Sequence, residues 1–157
     1  MITLKTVRLD PYHPVLGLLV PEVAQRLLFR SKELGTEDSE ETIYNVLSRL
    51  WQRDPTVLML ACVDSAGHVK GHAVASIEQS KAFLLQPRID EPSDHDTIGE
   101  LIGIVDNWVK EYNVSAMGAH QPVSDLTLIA RRSDPKWAKK YGFETKYYVM
   151  VRDLKGA

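Results

Sequence analysis

Apolar positions in the first third of the chain recur at helical spacing. After Pro21, residues Val23, Leu27, Leu28 and Leu34 follow the three-and-four repeat of an amphipathic helix, with charges between them. Gly35 suits the end of that helix. Ser39, Glu40, Glu41 and Thr42 then supply an N-cap and an acidic first turn. Ile43, Val46, Leu47, Leu50 and Trp51 form one apolar stripe, which Pro55 stops. Ahead of both helices, residues 2–9 alternate weakly and read as a strand, broken by Pro11 and Pro14.

Beyond Pro55 the period changes. Residues 57–63 are a continuous apolar run, as expected of a buried central strand. Asp64, Ser65, Ala66 and Gly67 carry turn chemistry, residues 68–77 a period near two, and Glu78, Gln79, Ser80 and Lys81 a second turn before a strand at 82–89. This is an antiparallel meander. An acidic loop at 90–96 leads to Thr97, Ile98, Gly99 and Glu100, a capping-box pattern, and to a helix with Leu101, Ile104, Val105, Trp108 and Val109 on its apolar face. Residues 114–120 read as a strand, 122–132 as a helix, 135–141 as a short helix ended by Gly142, and 144–154 as the last strand. The order predicts an α/β protein of α+β mixed-sheet type, with helices on both faces. The crossover from 82–89 through the long helix to 114–120 is expected to be right-handed and parallel.

Composition narrows the function classes. The 157 residues are 44% hydrophobic and 25% charged, and a chain of this size buries about 68–70% of its unfolded surface. A single cysteine, Cys62, excludes an internal disulfide and a cysteine-based zinc site, and reads as core packing. His72 within a strand and His120 at the end of one have no metal-ligand spacing, so no metal is expected. A net charge of −2, with no basic stripe interleaved with aromatics, argues against nucleic acid and anionic membrane. No apolar run reaches the ~18–20 residues of a membrane span, and residues 1–8 lack a signal-peptide core, so the expected location is the cytoplasm.

Two segments carry a resemblance. Trp137, Ala138, Lys139, Lys140, Tyr141, Gly142, Phe143 and Glu144, followed by residues 147–154, are similar to the aromatic-Tyr-x-x-x-Gly-Phe-Glu turn and final strand of the GNAT N-acetyltransferases. Trp108, Val109, Lys110, Glu111, Tyr112, Asn113 and Val114 look like the end of that family's central helix and the start of its next strand. The element order matches over nearly the whole length. The resemblance implies a single GNAT-like domain over residues 1–157, with the acyl-CoA N-acyltransferase fold. It also implies transfer of an acyl group from acetyl-CoA, as co-substrate, to an amine on a small molecule or protein, through a direct ternary complex. GNAT relatives are often homodimers.

The same resemblance implies roles for residues. Leu84, Leu85 and Gln86, with Pro87 behind them, match the splayed strand that pairs with pantetheine. Thr97, Ile98 and Gly99 stand where a glycine-rich cradle presents backbone N–H groups to the pyrophosphate, with Arg88 as a counter-charge. Tyr141 is the candidate proton donor to the departing thiolate, a role it takes only if the turn differs from the family's, whose tyrosine sits four residues before the glycine, where Ala138 stands here. His120 or Glu78 would take the proton of the amine. Each has a plainer reading. Glu78 and Gln79 suit a solvated turn, His120 a structural histidine, and Ser93, Asp94 and Thr97 a helix cap.

Acidic and basic residues are unevenly placed. Asp90, Glu91, Asp94 and Asp96 crowd the loop where a GNAT enzyme carries glycine and arginine. Arg131, Arg132, Lys136, Lys139, Lys140 and Lys146 form a basic cluster that meets the coenzyme's phosphates or is a solvated face. The acidic loop would select a cationic amine, or it would repel the pyrophosphate. The second outcome leaves a catalytically degenerate GNAT-like binding or assembly module, a kind also found among phage accessory proteins.

Overall fold

The all-apolar run at 57–63 is the central strand of a sheet covered on both faces. The computed structural model describes residues 3–33, 37–90, 95–115, 122–129 and 137–143. Lys5–Arg8 (β1), Val57–Val63 (β2), Val69–Glu78 (β3) and Lys81–Ile89 (β4) are successive antiparallel neighbours. Leu126–Ile129 (β5) adds to β4 in parallel, so the described residues form a five-stranded mixed sheet in the order β1-β2-β3-β4-β5.

Alternation within the apolar run decides which helix each side chain meets. Leu58, Leu60 and Cys62 pack with Ile98, Leu101, Ile102, Val105 and Trp108 of His95–Ser115 (α3). Val57, Met59 and Ala61 pack instead with Val23 and Leu27 of Val20–Glu33 (α1) and with Ile43, Val46 and Leu50 of Glu37–Trp51 (α2). Burial on both faces is why β2 lacks the polar alternation of an exposed strand.

The meander lies where the sequence places it, to within a residue or so. Downstream, two expectations change. The first two residues of the strand expected at 114–120 belong to α3, and the other five lie outside the described residues. The helix expected at 122–132 contains β5. Val123, Leu126 and Ile129 have a three-residue spacing, but Leu126, Thr127 and Leu128 also alternate, and the β4 edge from Ala82 to Leu85 provides a ladder for them. The link is pinned by Asn113 in the last turns of α3. Its side-chain Nδ2 donates to the Val123 carbonyl at 2.8 Å, and its Oδ1 accepts from the Val123 N–H at 2.8 Å. A side chain there plays the part of a paired strand. Residues 116–121, 130–136 and 144–157, which include the expected last strand, lie outside the described residues.

The β3–β4 hairpin turns through Gln79 at φ 50° and Ser80 at φ 66°, between the paired Glu78 and Lys81. Two central residues at positive φ are the mark of a type I′ turn, which favours Asn-Gly and costs ordinary residues about 1–2 kcal/mol each. The double substitution Gln79→Asn with Ser80→Gly is expected to raise unfolding stability by about 1–2 kcal/mol, read as a higher urea midpoint at unchanged slope. A lower midpoint counts against this turn.

Candidate functional site

The end of the sheet where β4 finishes and α3 begins gathers most of the residues singled out by sequence. β4 pairs with β5 from Ala82 to Leu85, and it continues through Ile89 beyond the last described pair. On its other edge the register with β3 shifts between His72 and Val74, so that one residue of β3 faces two of β4, Gln86 and Pro87. Pro87 has no N–H to give a ladder, and a bulge is where a strand accommodates it. β4 therefore departs from regular pairing immediately after Leu85.

The side chains of Leu84 and Leu85 point to opposite faces and are 0% and 6% exposed. Leu84 belongs to the α3-side core and Leu85 to the α1–α2 side. Neither side chain has surface to offer a ligand, so any contact by this strand is through its backbone.

α3 is described from His95, so Thr97, the expected cap, already lies inside the helix. An α-helix leaves its first four N–H groups outside its own ladder, and Thr97, Ile98 and Gly99 lie in the described N-terminal part of α3. Asp96 is exposed, Thr97 half-buried, and Ile98 buried against the sheet.

At Gly99 the expected phosphate cradle meets the C-terminal GNAT-like turn. A Cβ built there would lie 2.7 Å from the Tyr141 hydroxyl oxygen and 2.8 Å from its Cε1 and Cζ. Only a residue without a side chain lets the phenol lie this close to the helix. Tyr141 arrives through a tight turn. Lys139–Tyr141 is a 3-10 turn, closed by Gly142 at φ 86°. The Phe143 N–H donates to the Ala138 carbonyl at 3.0 Å and the Gly142 N–H to that of Lys139 at 3.1 Å. This is the Schellman arrangement, and it explains the glycine. Trp137 and Phe143 stand edge to face, with ring centroids 6.2 Å apart, and pack with Tyr141 against the α3-side core.

The remaining candidates lie elsewhere. Glu78 is at the opposite end of β4, beside Lys81, about 26 Å of strand from Ile89. Its carboxylate accepts from Arg49 Nη1 of α2 at 2.9 Å. Arg88 pairs in register with His72, whose own partner on β2 is Ala61, and this places Arg88 on the α1–α2 face, away from α3. Gln86 takes part as backbone of β4. His120 lies outside the described residues. Among the described residues no group of three or more His, Cys, Asp or Glu could hold a metal ion, and no helix is long and apolar enough to cross a membrane.

Sequence reasoning missed Arg26 on α1. Its Nε donates to His72 Nδ1 at 3.2 Å and its Nη1 to the Val69 carbonyl at 3.1 Å. Its two terminal nitrogens reach both oxygens of Asp90, at 3.1 and 2.5 Å. The Asp90 N–H is itself bonded to the Lys70 carbonyl at 2.8 Å. Partial burial alone would raise the Asp90 pKa. The hydrogen bonds from Arg26, with the charges of Arg26, Arg88 and Lys70, outweigh that and hold it below the usual carboxylate value. The legible signal was a charged residue three positions after Val23, on the stripe that faces the sheet.

No protein-family model matches the sequence, and no curated protein does. Solved structures do match the fold. A Pyrococcus furiosus protein assigned to the acetyl transferases superposes with a TM-score of 0.66 at 14% identity, over 97% of this chain and 100% of that one. The PaiA N-acetyltransferase of Thermoplasma acidophilum, solved with coenzyme A, gives 0.54 at 18% identity, over 92% and 91%. A GNAT-family acetyltransferase of Staphylococcus aureus gives 0.52 at 10% identity, over 88% and 80%. With its mixed sheet, helices on both faces and parallel β4–α3–β5 crossover, this chain has the GNAT acetyltransferase fold.

Proposed function

We propose that the protein is a GNAT-like N-acyltransferase, carrying an acyl group from acetyl-CoA to an amine. The observation that carries this reading is the approach of the Tyr141 phenol to Gly99, at the end of β4 where the strand leaves its regular ladder. The backbone of β4 from Gln86 onward would pair with pantetheine, and the first turn of α3 would meet the pyrophosphate. The amine nitrogen attacks the thioester carbonyl, the C–N bond forms, and the C–S bond breaks. Tyr141 gives its phenolic proton to the departing sulfur, while the proton from nitrogen passes to a base, the part assigned by resemblance to His120. The acceptor is an amine on a small molecule or a protein.

A second reading takes the same contact the other way. The phenol covers Gly99, the surface a phosphate would approach, and the protein is then a catalytically degenerate GNAT-like binding module. Calorimetric titration separates the two. A saturable heat with acetyl-CoA at micromolar to low-millimolar concentration is expected for the enzyme, and no heat at millimolar ligand leaves the binding module.

A further inference from the structure

We infer that Arg26 is a positioning residue for the coenzyme, acting through Asp90; this rests on the acyltransferase reading. Asp90 is the first residue after β4 on the path to α3, and an anionic ligand would find it a like charge on that path. The structure turns this carboxylate to the other side of the sheet. His72 and Arg88 are register partners on the α1–α2 face, and Arg26 reaches from α1 on that same face to hold His72, the Val69 carbonyl and both oxygens of Asp90. α3 packs on the opposite face.

The chemistry of the fork fits this task. Arg26 uses Nε, Nη1 and Nη2 together, and only a planar guanidinium presents its donors at fixed angles to a carboxylate, a ring nitrogen and a carbonyl at once. An arginine on the sheet-facing stripe of α1, with its side chain 23% exposed, loses hydration, and helix stability gives it no reason to be there. Its reach to the residue that follows β4 holds that carboxylate on the α1–α2 side of the sheet. It also neutralises one of the acids whose presence makes this loop unlike a phosphate cradle.

The test compares coenzyme A binding by calorimetry to the wild type, Arg26→Gln, Asp90→Asn and the double variant, at low and at 0.5 M salt. Arg26→Gln is expected to weaken binding by about three- to tenfold at low salt, the scale of one partly screened charge. The double variant is expected to return to within about twofold of the wild type, because it no longer carries the carboxylate. The deficit is expected to shrink at high salt, which a merely distorted fold would not do. Wild-type affinity in Arg26→Gln, a double variant as weak as the single one, or a deficit indifferent to salt each overturns the inference. If Arg26→Gln does not fold, Arg26→Lys replaces it. Lysine keeps the charge but not the fork, and a smaller loss that Asp90→Asn restores is expected. Inorganic pyrophosphate is titrated against the same proteins. The same ranking there, with no coenzyme A binding by the wild type, overturns the acyltransferase reading and, with it, Arg26 as a positioning residue for the coenzyme. Equal coenzyme A affinity in all the proteins overturns the inference and leaves that reading standing. No binding of either probe to the wild type overturns both.

Discussion

Tyr141→Phe is expected to lower the rate of acyl transfer by about 10²- to 10⁴-fold while leaving the affinity for acetyl-CoA within about twofold. Removing one hydroxyl leaves the ring on Gly99 and takes away only the proton that the sulfur needs as it departs. The measurement is release of coenzyme A thiol from acetyl-CoA with a panel of primary amines, paired with calorimetric affinity for the coenzyme. A phenylalanine variant with the wild-type rate removes Tyr141 from the chemistry. Gly99→Ala is the companion. Alanine is the better helix former by about 1 kcal/mol, and the atoms its Cβ would meet are the far end of a side chain that can swing away. Stability is therefore expected to hold or rise while turnover falls, because the phenol is displaced. If Gly99→Ala is as active as the wild type, Tyr141 does not act from its observed place.

Leu84→Ala is expected to cost about 2–5 kcal/mol, the range for emptying a fully buried leucine site. Leu84 is fully buried in the α3-side core, paired in register with Ala75 on one side and Leu128 on the other. Its loss leaves a void at the centre of the β3–β4–β5 ladder, where rigid strands cannot collapse to fill it. For a domain of this size, about 2–4 °C per kcal/mol translates this into a fall in melting temperature of roughly 4–20 °C. Thermal denaturation followed by circular dichroism measures it. A shift below about 2 °C would mean that Leu84 is not in a closed core but lines an open crevice.

These two experiments divide the residues that the GNAT resemblance selected. Tyr141 and Gly99 belong to segments about forty positions apart, each chosen by its own local pattern, and the fold brings them into contact. Leu84 and Leu85 matched a strand that handles a substrate, yet their side chains are spent on the core. Glu78 matched a position for a base, yet it is ion-paired with Arg49 at the far end of the strand. A residue's place in a motif says which element it sits on. It does not say which face it takes or which end of the sheet it reaches.

The sequence by itself determined the elements whose stability is local. The meander from 57 to 89 follows from one unbroken apolar run, then alternation, with turn residues between the strands. The stripes of α1, α2 and α3, and the arrest at Gly142, follow equally from spacing and from a positive φ. What only the tertiary structure decided is whatever depends on a partner distant along the chain. β5 is a strand because the edge of β4 is there to pair with it, although its apolar spacing serves a helix as well. Asn113 anchors Val123 through two hydrogen bonds that no periodicity announces. The acidic segment after β4 reads as a uniform run of charge, but Arg26 draws its first carboxylate to the opposite face of the sheet. Hydrophobic period is a property of neighbouring residues, whereas a hydrogen bond or an ion pair depends on where two distant residues come to rest.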